Sequence, residues 1–147
     1  MSRLAKKKRD GSSGLWKRKA DAAWGRIIHL VGGGKCAVGG DCAGNLEAHH
    51  IISRGVIATR HDPLNGVLLC SKHHKFSPLC SPHGGPAGFF AWFEKKFPGR
   101  IDLLHSSARP AGSLKPDYKR NCEILEQGYV EAEKFLKEAT NAATGPA

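Results

Sequence analysis

No apolar run in this chain approaches the roughly 20 residues that a membrane-spanning helix requires. The basic N-terminus passes into charged, Gly/Ser-rich sequence instead of an apolar stretch, so no secretory signal is read there. Both absences lead to the expectation of a soluble, cytoplasmic protein. Acidic residues are scarce: 13 Asp and Glu stand against 23 Lys and Arg, giving a net charge of +10 and a pI near 9.6. Such an excess points to a polyanionic partner, nucleic acid first. The cysteines number five, an odd count, and they lie among histidines. That argues against a disulfide framework and for metal binding in a reducing compartment. The triple glycine Gly32–Gly34 precedes Lys35 but lacks the Gly-x4-Gly-Lys-Ser/Thr spacing and a preceding strand, which excludes a phosphate loop. No internal repeat of about twenty or more residues is visible.

What the chain does have is crowded into one third of its length. Six of the eight histidines and four of the five cysteines fall between Cys36 and His83. Histidine and cysteine bind transition metals, and histidine moves protons near neutral pH. The basic excess is also uneven, with twelve Lys/Arg against four acids in residues 1–60. A phosphate-binding surface is therefore expected in the N-terminal segments and around the cluster, with Arg54, Arg60, Lys72 and Lys75 as its candidate cations.

Taken in order, residues 1–14 read as a disordered basic arm. Apolar residues at spacings of three and four predict a helix from Leu15 to Val31, stopped by the glycines that follow. Cys36–Asn45 reads as a Gly-rich knuckle, Leu46–Ile52 and Gly66–Cys70 as strands, and Lys72–Phe76 as the start of a helix N-capped by Ser71. A helix over Ala87–Phe97 carries Phe89, Phe90, Trp92, Phe93 and Phe97, read as a stripe that packs the helix onto the strands. A short helix over Arg100–Ser107 and a C-terminal one over Tyr118–Ala139 complete the pattern. The fold class is thus α+β: a strand–loop–strand–helix unit at about 46–76 inside a domain spanning 15–107, then a C-terminal helix and frayed tail over 108–147.

A structural zinc takes four Cys or His ligands, usually as two close pairs. Cys36 with Cys42 forms one pair and Cys70 with His73 the other; Cys80 with His83 is a rival donor pair. Residues 49 and 50, adjacent on a strand, point to opposite faces, so one can bind a second metal while the other stays free as a base. Two histidine doublets at this separation, in a basic chain, suit phosphodiester hydrolysis.

LEAHHIISRG followed by HDPLNGVLLCSKHH resembles the His-Asn-His (HNH) endonucleases, in particular the small phage-encoded type. The likeness covers roughly residues 36–97. It implies a ββα-metal fold and a metal-dependent DNA endonuclease that nicks or cuts both strands. The roles it implies are His49 and His74 as ligands of a catalytic divalent ion, His50 as general base and Asn65 as the catalytic-site residue orienting loop and base. It further implies His83 as an extra ligand, and DNA with terminase or other phage packaging proteins as partners. Two histidines and an Asn amide would accept Mg, Mn, Ni or Zn. A zinc-stabilised DNA-binding module without catalysis is the alternative.

Overall fold

In a computed structural model the described residues are 12–108 and 115–143. The expectations for residues 1–11, 109–114 and 144–147 fall outside them. Four helices and two strands are described: α1 (Ser12–Val31), β1 (Leu46–His50), β2 (Gly66–Cys70), α2 (Pro86–Lys96), α3 (Arg100–Ala108) and α4 (Tyr118–Ala143). The chain is therefore mixed helix and sheet. Among the described residues, no helix is long and apolar enough to cross a membrane.

β1 and β2 pair antiparallel, with Leu46 opposite Cys70, His49 opposite Val67 and His50 opposite Gly66. A lone two-stranded ribbon is marginal in water, so both of its faces need cover. The alternation of strand side chains decides which residue meets which cover. Leu46, Ala48 and Leu68 face Ala23, Trp24, Ile27 and Ile28 of α1 and Leu125 of α4. Val67 and Leu69 face Phe89 and Phe93 of α2 and Leu104 of α3. All five residues of β2 are buried, as a strand covered on both faces requires.

The aromatic stripe of α2 divides: Phe89 and Phe93 are fully buried, whereas Phe90 is 41% exposed. Several boundaries differ from the sequence expectation: α2 lies one residue earlier, α3 ends at Ala108 and α4 runs on to Ala143. α1 begins at Ser12, and β1 ends at His50. Lys72–Phe76 is a single π-type turn instead of the start of a longer helix. Pro78 accounts for the stop, because the residue before a proline is driven out of the helical region, and Ser77 is extended (ψ 119°).

Candidate metal centres and a candidate base

The sulfurs of Cys36, Cys42 and Cys70 and a ring nitrogen of His73 lie within 4.8 Å of one another. Nδ1 of His73 is 3.5, 3.7 and 3.3 Å from the three sulfurs in that order. A zinc with bonds of about 2.3 Å to sulfur and 2.0–2.1 Å to nitrogen, in tetrahedral geometry, places S and N about 3.6 Å apart. The donor set fits a zinc ion. Five residues between Cys36 and Cys42 are a long gap for a knuckle; Gly39 and Gly40 turn it in the left-handed region (φ 76° and 68°). The knuckle is pinned to the second strand by Ala37 N–H to Leu68 O (2.8 Å), Ser71 N–H to Asn45 O (2.8 Å) and Lys72 N–H to Ala43 O (3.1 Å). Desolvation, then the adjacent Cys36 and Cys70 sulfurs, push the Cys42 thiol up to about 11. The Cys42 thiol therefore stays protonated at neutral pH until a cation joins the group. Cys80 lies outside this quartet, half-buried against the second core cluster.

Across the same π-type turn a second group forms. Ring nitrogens of His49, His74 and His83 also lie within 4.8 Å of one another, and Nδ1 of His49 is 3.0 Å from Nε2 of His74. His74 Nδ1 is bonded to the Glu47 carboxylate, which accepts only. The proton therefore sits on Nδ1, and the Nε2 lone pair points at His49. Glu47 also takes Lys75 Nζ at 2.9 Å and the Ser71 hydroxyl at 3.2 Å. Lys75 and then His74 hold its carboxyl down at about 2, so it is ionised at neutral pH. Burial first, then the crowding of other imidazoles against it, pushes His49 down to about 3 and leaves its ring neutral. His83 is set by a closed turn in which the buried Ser81 hydroxyl donates to Ser77 O (2.9 Å) and accepts from Gly84 N–H (2.8 Å).

His50 points the other way. Its Nε2–H donates to the Arg60 carbonyl at 2.9 Å; a carbonyl cannot donate, so Nδ1 carries the free lone pair. The ring stacks on Trp24, with centroids 3.7 Å apart and planes 12° from parallel. Burial holds His50 below its ordinary value, against the opposing Arg60 carbonyl bond, and so keeps it neutral.

Two expectations need correction. The Asn65 amide is not a metal donor. It accepts from Ile52 N–H (2.7 Å) and donates to Ile52 O (2.9 Å) and Thr59 O (3.0 Å), tying both ends of the 52–65 loop together. Arg60 does not belong to a phosphate-binding surface. Its side chain is only 9% exposed and forks onto Asp21, Nε to Oδ1 at 2.8 Å and Nη2 to Oδ2 at 2.7 Å. Arg54 is exposed, while Lys72 and Lys75 stand at the surface in ion pairs with Asp41 and Glu47.

Three residues of this arrangement had no role assigned from the sequence: Glu47, Asp21 and Trp24. Only Glu47 had a signal, its position two residues before His49 on one strand face. Comparison with protein-family models, with curated proteins and with solved structures found no match.

Proposed function

We propose that this chain is a metal-dependent DNA endonuclease built on a ββα-metal unit of the HNH type. One observation carries the reading: a neutral histidine, His50, has its Nε2–H fixed on a carbonyl, and its neighbour on the strand, His49, belongs to a three-histidine group. A divalent ion held by His49, His74 and His83 would neutralise the scissile phosphate and stabilise the leaving oxygen. His50 Nδ1 takes the proton from the attacking water, and the Arg60 carbonyl steadies the imidazolium that results. Glu47 holds His74 in the tautomer that offers Nε2. The quartet of Cys36, Cys42, Cys70 and His73 serves a structural zinc.

Three imidazoles favour Zn or Ni over Mg, which prefers oxygen donors. Exposed cations such as Arg54 would meet the phosphates, a contact that carries no base sequence. The zinc quartet and the charge would serve a non-catalytic DNA-binding module equally well; the three-histidine group would have no use in one.

The test is cleavage of supercoiled plasmid across Mg, Mn, Ni and Zn, with the wild type beside His50→Ala. Metal-dependent cleavage lost in the variant is the expected result. A variant as active as the wild type sinks the base assignment. Duplex binding without cleavage in any metal gives the binding-module reading.

A further inference from the structure

On the nuclease reading of His50, we propose that helix α1 belongs to the catalytic apparatus, with Asp21 and Trp24 as positioning residues that hold the base in one tautomer. Neither lies in the strand–loop–strand unit that supplies His50. Both act on it through geometry.

The carbonyl that fixes His50 belongs to Arg60, in a loop whose residues 51–62 form neither helix nor strand. Such a segment would let the carbonyl wander unless something grips it. The grip comes from Arg60 itself, whose guanidinium forks onto Asp21 and sends Nη1 to Arg54 O. A bidentate Arg–carboxylate pair fixes direction as well as distance. Asp21 Oδ1 also accepts from His61 Nε2 at 2.9 Å. One turn further along α1, Trp24 Nε1–H donates to Asp62 O at 2.9 Å. Two residues on one helix face thus hold three consecutive loop residues, Arg60, His61 and Asp62.

Trp24 does a second thing. Its indole face covers the His50 ring on one side and restricts how the imidazole can turn. Gly66, opposite His50 in the ribbon, makes room for the indole: a Cβ there would lie 2.8 Å from Trp24 Cζ2. Released from the Arg60 carbonyl, the His50 proton could sit on either nitrogen, and the Nδ1 tautomer has no lone pair where the reaction needs one. Wrong tautomer alone disables a histidine base whose ring is otherwise in place.

The experiment uses the full zinc-loaded chain with ¹⁵N-labelled histidine. Long-range ¹H–¹⁵N spectra report the His50 tautomer, and plasmid cleavage gives kcat and KM. The wild type is expected to show the Nε2–H form alone. In Asp21→Asn and in the milder Arg60→Lys, which keeps the carbonyl and the charge, both tautomers appear. The kcat falls on the order of 10-fold or more, with KM for DNA and bound zinc unchanged. Trp24→Phe, which keeps an aromatic face, retains more activity than Trp24→Leu. The proposal is overturned if either clamp variant folds with its zinc and keeps a single tautomer and full kcat, or if kcat falls while the tautomer stays single. The tautomer readout needs no cleavage. A wild type that never cuts but loses its single tautomer on Asp21→Asn overturns the nuclease reading and supports the clamp.

Discussion

Glu47 and His74 form a carboxylate–imidazole pair in which the carboxylate accepts the hydrogen bond from Nδ1–H and leaves Nε2 aimed at His49. Outer partners of this kind raise ligand basicity and fix ring direction. Glu47→Gln keeps the shape but loses the charge. Affinity of the three-histidine group for Ni or Zn is expected to fall about 10–100-fold, read by calorimetric titration of protein whose structural zinc is already bound. Zinc retained after dialysis should not change. Equal Ni affinity in the two proteins would remove Glu47 from the site.

The quartet of Cys36, Cys42, Cys70 and His73 makes a sharper prediction, because Cys80 tests it. Cys42→Ser should lose stoichiometric zinc on dialysis and melt at a lower temperature, since binding at such a site contributes to folding. Cys80→Ser should keep one zinc per chain. Metal analysis of the two variants decides the matter, and the reverse pattern would move the fourth ligand to Cys80. His73 and His74 sit in one π-type turn, so zinc loss should also weaken metal binding at His74.

How much of this was legible follows from what sequence spacing encodes. Strand alternation put His49 and His50 on opposite faces, and the spacing offered the quartet that converges beside a rival pair, Cys80 and His83, that does not join it. Both are local rules that survive folding. Arg60 was misplaced because a charge count says nothing about direction, and Asp21 lies 39 positions away from it. Trp24 looked like an ordinary core residue of α1, and it is one; its stacking on His50 depends on tertiary packing that no periodicity reports. The π-type turn at Lys72–Phe76 has the opening of a helix in its sequence, and what ends it is Pro78, two residues beyond.

Acid should weaken the fold before it reaches the carboxylates. Burial holds His61 below its ordinary value near 6.5, although its bond to Asp21 opposes the shift. The unfolded chain therefore binds more protons than the folded one below that pH, and stability falls as pH drops through about 6.5. His49 and His50 are shifted the same way, so His61→Gln should make the slope shallower without abolishing it. Denaturant midpoints between pH 7 and 5, at constant bound zinc, give the comparison. An unchanged slope in the variant would mean that His61 is as free to protonate folded as unfolded.

Gly66 offers a test of the packing around His50. Its φ of −122° suits any residue, so no backbone strain enters. The obstacle is space: an added Cβ would lie 2.2 Å from Ile28 Cδ1 and 2.8 Å from Trp24 Cζ2. Overpacking of this kind typically costs about 1–3 kcal/mol, and Gly66→Ala should lower the melting temperature accordingly. Ile28→Val removes the Cδ1 atom that clashes first. The double variant Gly66→Ala/Ile28→Val should recover part of the loss, a coupling of the sign expected for residues in contact. If the two substitutions simply add, removing Cδ1 gives no relief, and the new methyl is held by what remains, Ile28 Cγ1 at 2.5 Å and Trp24 Cζ2 at 2.8 Å.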